Sequence, residues 1–182
     1  RAMDMWVFGY GSLLWNPGFE YDQTRLARLN GYRRSFCKRS IHHRGTVEDP
    51  GLVLALDEQA EAHCDGLAFR VRDGHQDQTL AYLRERELIS SAYVEKAVTL
   101  TTEDGEIPAL VYVIDEDHDQ YCGDLPLSEQ AEIIAHAVGG RGPNSEYLWN
   151  TVDHLNHLGI TDTDLQWLSD QVKALLDNGL AQ

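Results

Sequence analysis

Met5-Trp6-Val7-Phe8, running into Gly9-Tyr10-Gly11-Ser12-Leu13, sets the reading of the whole chain. Four successive apolar residues without alternation suit a strand buried on both faces, and the glycines after them suit a turn. With no Cβ at Gly9 or Gly11, backbone N–H groups around Tyr10 can converge on one point. Such a nest holds anionic oxygens, whether of phosphate, carboxylate or a tetrahedral intermediate. Taken alone, the stretch reads more readily as a plain strand-ending turn. It is no dinucleotide fingerprint, because a third glycine and a following helix are not expected, and no Gly-Lys-Ser/Thr makes it a P-loop.

Outward from there, Asn16-Pro17-Gly18 marks a loop, and Leu26 to Leu29 is too short to assign. Tyr32 to Ile41 is expected as a strand ending in the polar turn His42-His43-Arg44-Gly45-Thr46. Leu52 to Leu56 and Leu67 to Val71 are two further short strands. From Asp77 to Glu87 the period becomes that of a helix. Tyr93 to Thr101 and Ile107 to Ile114 predict a hairpin around Glu103-Asp104-Gly105. From Ser128 onward the chain reads as helical, with stops at Gly139-Gly140, Gly159 and Asn178-Gly179 and a capping box at Thr163-x-x-Gln166. Strands first, helices last and no long linker predict one α+β domain over residues 1–182, its sheet closed or partly closed.

The 182 residues carry 30 Asp and Glu against 15 Lys and Arg, a formal charge of -15. That balance argues against nucleic acid or an anionic membrane as partner. No apolar run is long enough to span a bilayer, and no basic-then-apolar leader opens the chain, so a cytoplasmic protein is expected. Cys37, Cys64 and Cys122 are far apart in sequence and odd in number, which points to thiols rather than a disulfide framework. His42 and His43 would diverge on a strand, and His154 and His157 lack a third ligand nearby, so no metal or other cofactor is expected.

Glu87 is the carboxylate whose position stands out. On a helix from Asp77, Leu80, Leu83 and Glu87 share one face, so an acid continues a stripe that otherwise meets the core. Burial disfavours the charged form and tunes such a group for acid–base work. The competing reading pairs Glu87 with Arg84, or ends the helix early and leaves the acid in solvent. Ser12 lacks a His/Asp pair that would make it a nucleophile. Arg39, just before the His/Arg turn, is either a partner for a substrate carboxylate or a solvated strand arginine.

Taken in order, Trp6-Val7-Phe8-Gly9-Tyr10-Gly11-Ser12-Leu13-Leu14-Trp15, Arg44-Gly45, Gly66-Leu67-Ala68-Phe69-Arg70-Val71, Arg86-Glu87, Tyr93 and Gly142-Pro143-Asn144-x-Glu146-Tyr147-Leu148 resemble the ChaC-like γ-glutamylcyclotransferases. The resemblance runs from Trp6 to at least Leu158. It implies a small mixed β-barrel with packed α-helices, and an enzyme that cleaves glutathione to 5-oxoproline and cysteinylglycine without a cofactor. It also implies that Gly9, Tyr10, Gly11, Ser12, Leu13 and Leu14 hold the γ-glutamyl group, that Glu87 rather than Glu85 is the acid–base residue, and that Tyr93 and Tyr147 line the substrate pocket. Many relatives place two glycines shortly before the residue matched to Tyr93, where this chain has Ile89-Ser90-Ser91-Ala92. Two alternatives stand beside this reading: a cyclotransferase for γ-glutamyl amines or amino acids, and a non-catalytic regulatory module.

The implied chemistry is intramolecular. The substrate α-amine attacks its own γ-carbonyl, so neither an enzyme nucleophile nor a metal is needed. A free glutamate near pKa ~4.3 is poorly matched to an α-amine near ~8, a gap of roughly 5 kcal/mol that burial of the carboxylate narrows.

Overall fold

In the computed structural model, which describes residues 4–179, strand β1 (Trp6–Gly9) is buried along its whole length. The cause is its position. It pairs antiparallel with β3 (Gly51–Val71), Val7 opposite Phe69, and parallel with β5 (Gly105–Ile114), Val7 opposite Leu110. These neighbours satisfy its backbone. Apolar packing covers both its faces, Val7 joining a buried cluster with Leu13, Val71 and Tyr112, which is why its sequence does not alternate. The strand order β1-β3-β2-β4-β5 closes on itself, with β2 at Tyr21–Ser40 and β4 at Tyr93–Thr102. The expected mixed barrel with packed helices is therefore present. Residues 1–3, part of the stretch read as carrying no leader, lie outside the described residues.

Two compact units share the chain. One comprises the segment up to Arg34 together with Leu56–Asp119, and the other comprises Ser35–Ala55 and the segment from Gln120 onward. In the first, β4 and β5 form the expected hairpin in continuous register from Tyr93 opposite Ile114 to Thr102 opposite Gly105. Gly105 has a φ of 111°, which favours glycine, and the Thr102 hydroxyl donates to its carbonyl at 2.7 Å. Helix α2 (Gln76–Leu88) starts one residue before the expected position and keeps Thr79 and Leu83 buried.

The long strands differ from expectation. The two short runs around Leu52 and Leu67 belong to one 21-residue strand, and β2 begins at Tyr21, eleven residues before Tyr32 and through the unassigned Leu26–Leu29 stretch. Between the apolar ends of β3 lies an exposed polar stretch, Glu58–Glu61. There the strand is carried by backbone pairing and by arginine–aspartate clamps to β2. Arg33 grips Asp57 at 2.7 and 3.1 Å, and Arg28 grips Asp65 at 2.8 and 3.1 Å. Bidentate pairs of this kind fix register as well as adding energy.

The second unit holds helices α3 (Leu127–His136), α4 (Asn144–His157) and α5 (Thr163–Asp177) and a minimal hairpin, β6 (Val138–Gly139) with β7 (Gly142–Pro143). Gly139-Gly140 does not stop α3, which ends at His136. Gly139 instead lies where a Cβ would strike the backbone of His43, Arg44 and Gly45. Gly159 and Gly179 follow α4 and α5 with φ of 76° and 69°, as expected for helix ends. The capping box is replaced by one cap: Asp162, not Thr163, accepts from the Leu165 N–H at 3.1 Å.

Candidate active site

Within the first unit, the loop after β1, helix α2 and the β4–β5 hairpin meet at one apolar cluster. Val7, Leu13, Val71, Leu83 and Tyr112 are buried in it, and Tyr82, Leu88 and Tyr93 pack against them. The glycine-rich loop and the α2 face that ends in Glu87 thus share a core. A short helix, α1 (Ser12–Trp15), does follow the glycines, contrary to expectation. It is a single turn: Leu14 N–H donates to Gly11 O at 2.9 Å and Asn16 N–H to Ser12 O at 2.8 Å. The Ser12 and Leu13 amides come before the first i→i−4 bond and have no partner inside the helix. Gly9 is required by packing, since a Cβ there would lie 2.9 Å from the Phe69 ring and 3.3 Å from Leu13 Cβ. Tyr10 is buried and its hydroxyl donates to Tyr112 O at 2.9 Å, anchoring the loop to β5.

Glu87 sits in the last turn of α2 with 16% of its side chain exposed, while Glu85 is exposed. Its ion-pair partner is Arg86, at 3.2 Å, not Arg84. Arg84 instead forks onto Glu95, both contacts at 3.0 Å. Arg86 is the hub of the region. Its Nη1 donates to Asn16 O at 2.6 Å, Pro17 O at 3.1 Å and Tyr82 Oη at 3.0 Å, and its Nη2 donates to Ser12 Oγ at 3.1 Å. One guanidinium therefore ties the helix that presents Glu87 to the loop that carries Ser12.

Tyr112 lies beside this arrangement. Its hydroxyl donates to Glu95 Oε1 at 2.8 Å. Burial, then that hydrogen bond, then the charges of Glu95 and Glu87 push the phenol above its ordinary range, so it stays protonated. Glu95 is held below the usual carboxylate range, first by its hydrogen bond from Arg84. Glu87 thus lies beside the Arg86 cation and within electrostatic reach of a Tyr112 phenol whose proton is committed to Glu95.

Of the other expected residues, Tyr93 opens β4 and packs half-buried on the apolar cluster. Arg39 and Tyr147 belong to the second unit. Arg39 lies near the end of β2, its N–H donating to Gln120 O at 2.8 Å. Tyr147 is buried, stacks edge-on with Phe36 at 5.9 Å, and its hydroxyl accepts from Leu54 N–H at 3.1 Å. Beside it, the Asn144 side chain both accepts from and donates to the Leu52 backbone at 2.8 Å, and Arg44 spans Pro143 O and Glu146. The Gly142-to-Leu148 motif thereby fastens α4 to the start of β3.

Arg86, Tyr82 and Tyr112 were not singled out as site residues by the sequence reading. Tyr82 and Arg86 are four apart on a helix, and this i,i+4 spacing could have flagged a polar pair. Nothing local marks Tyr112, which looks like any strand aromatic.

The closed mixed barrel with helices packed on it is the fold of solved γ-glutamylcyclotransferases, and here it carries Glu87 on a helix tied through Arg86 to the glycine loop. A crystal structure of a yeast γ-glutamylcyclotransferase specific to glutathione superposes with a TM-score of 0.85 over 94% of this chain and 96% of that one, at 24% identity. The model of the ChaC-like protein family matches residues 5–175, and the chain belongs to that family. Curated relatives agree. The glutathione-specific γ-glutamylcyclotransferase of Escherichia coli K12 is 37% identical over 94% of this chain and 74% of its own length. That of Schizosaccharomyces pombe is 36% identical over 88% and 87%, and γ-glutamylcyclotransferase 2-3 of Arabidopsis thaliana is 35% identical over 96% and 91%.

Proposed function

We propose that this protein is a glutathione-specific γ-glutamylcyclotransferase, a lyase that releases 5-oxoproline and cysteinylglycine, with residues 1–182 acting as one catalytic domain. The observation that carries the residue assignment is the Arg86 bridge, which fixes the position of Glu87 relative to the glycine loop. Glu87 takes a proton from the substrate α-ammonium, and the freed nitrogen attacks the γ-carbonyl carbon. Negative charge develops on the carbonyl oxygen, where the Ser12 and Leu13 amides and their neighbours in the Gly9-to-Leu13 loop are the donors. Collapse breaks the bond to the cysteinyl nitrogen, which receives that proton from Glu87. The carboxylate so freed takes the second proton shed by the lactam nitrogen and passes it to the departing amine, which leaves as an ammonium. No water enters the balance, and the carboxylate is regenerated. Leu14 N–H is spent on the turn, so Leu14 serves by packing. Tyr93 and Tyr147 enter as substrate contacts on family resemblance, and Arg39 enters on its place before the His/Arg turn as a partner for a substrate carboxylate.

The test is direct: incubate the protein with glutathione and follow both products by mass spectrometry. Stoichiometric 5-oxoproline and cysteinylglycine are expected, with γ-glutamylalanine and γ-glutamyl-ε-lysine turned over less efficiently. Free glutamate in place of 5-oxoproline would replace cyclisation by hydrolysis, and preference for the other γ-glutamyl compounds would overturn the substrate assignment.

A further inference from the structure

Cys37 and Cys122, remote in sequence, face each other in the second unit. An isolated antiparallel bridge pairs Lys38 with Tyr121. On either side of it, Arg39 N–H donates to Gln120 O at 2.8 Å and Cys122 N–H donates to Cys37 O at 2.7 Å. That is the ladder of an antiparallel pair in register, with Cys37 directly opposite Cys122 at a hydrogen-bonded position. Opposed residues of this kind have Cα atoms about 5.5 Å apart and side chains on the same face, inside the span of about 4.4–6.8 Å that disulfides bridge. The thiols are not joined in this structure.

Their surroundings differ in a useful way. Cys37 is 1% exposed, whereas Cys122 is only partly buried, so Cys122 is the more accessible of the two. Arg39, two residues along β2, shares the face of the thiol pair by strand alternation. Burial raises the Cys122 thiol, and the positive charges of Arg39 and Lys38 act against that rise. Arg39 and Lys38 thus place positive charge within electrostatic reach of Cys122, suited to an anionic reagent at short range.

We propose that Cys37 and Cys122 form a reversible dithiol–disulfide pair whose exchange partner is glutathione disulfide. The Cys122 thiolate attacks one sulfur of glutathione disulfide, that S–S bond breaks, and one glutathione thiolate leaves. The Cys37 thiol then gives up its proton and attacks the Cys122 sulfur of the mixed disulfide, expelling the second glutathione. Two protein thiols are oxidised to one disulfide, one glutathione disulfide is reduced to two glutathione molecules, and the two thiol protons go with them. The new bond staples the segment around Cys122 to β2 beside Arg39. Cys64 takes no part: its sulfur lies 3.4 Å from Arg34 Nη1 and no strand pairing sets it opposite another cysteine among the described residues.

The proposal stands apart from the catalytic reading, and its test needs no turnover. The full chain, reduced and then freed of reductant, is incubated with glutathione disulfide, quenched in acid, alkylated and mapped by peptide mass spectrometry. A Cys37–Cys122 linkage reversed by dithiothreitol is expected, with Cys64 alkylated. Cys37→Ser should stop at a glutathione adduct on Cys122, and Cys122→Ser should leave Cys37 unmodified. The wild-type result decides even where a variant folds poorly. A stable Cys122 adduct without the internal linkage, no reaction at either thiol, or a linkage through Cys64 would each overturn the proposal.

Discussion

At the scale of single residues, the proposed mechanism rests on one proton acceptor and on what aims it. Glu87→Gln keeps shape and hydrogen bonding but cannot take up and return a proton. It should lower kcat by about 10²-fold or more while the protein still folds. Glu85 is exposed on the same helix, so Glu85→Gln is the matched control and should keep near-full turnover. Equal losses in both variants would remove Glu87 from its role. Arg86 makes a different prediction. Its fork reaches Ser12, Asn16, Pro17 and Tyr82 as well as Glu87, and a lysine offers one point charge without that geometry. Arg86→Lys should therefore cost up to about 10²-fold in kcat/KM through misplacement, with thermal stability less affected than in Arg86→Gln. Steady-state kinetics beside a melting curve separates the two effects. An Arg86→Lys enzyme with wild-type kinetics would make the bridge merely structural.

At the scale of elements, the sequence exposed whatever hydrophobic periodicity controls. Helix α2 and the β4–β5 hairpin came within two residues of their bounds, the hairpin because the Glu103-Asp104-Gly105 turn divides two β-branched runs and the helix although only Thr79 and Leu83 along it are buried. The middle of β3 did not, since Glu58–Glu61 is exposed and backbone pairing carries no signature in side chains. The Arg28–Asp65 and Arg33–Asp57 clamps that register this region join residues distant in sequence, so no local pattern announces them. The start of α5 failed for a smaller reason. Two adjacent residues, Asp162 and Thr163, could each cap, and the side chain that reaches Leu165 N–H is the aspartate. Asp162→Ala should thus cost about 1 kcal/mol of stability, and Thr163→Ala only a small fraction of that. Urea unfolding of the two variants checks the assignment, and the reverse order would restore Thr163 as the cap.

At the scale of the whole molecule, charge makes stability depend on pH, and the candidate site inherits that dependence. The barrel and its family were legible from Trp6 onward, whereas the pairing of Cys37 with Cys122 and of His136 with Asp49 needed the folded chain. His136 Nε2 lies 2.8 Å from Asp49 Oδ1 and its Nδ1 lies 2.8 Å from Glu132 O, so both ring nitrogens face acceptors and the imidazolium is favoured. The hydrogen bond to Asp49 is the main cause of its raised pKa. A group raised on folding stabilises fully below its unfolded pKa, about 6.5 for histidine, and loses that contribution as pH climbs through the folded value. Asp65 and Glu95 are depressed by Arg28 and Arg84, so theirs is present above the unfolded carboxylate range and lost in acid. Between these limits all three contribute. Because a net charge of -15 adds its own pH dependence, the histidine is best isolated by difference. His136→Gln removes the titration while leaving Asp49 and the background repulsion in place. The variant should be less stable than wild type at pH about 5.5, and the gap should narrow steadily towards pH about 9. Both ion-pair partners are substantially exposed, so the effect should also shrink in high salt. Urea midpoints of the two proteins across that range measure the gap, and one that stayed constant with pH would show that His136 contributes by packing rather than by charge.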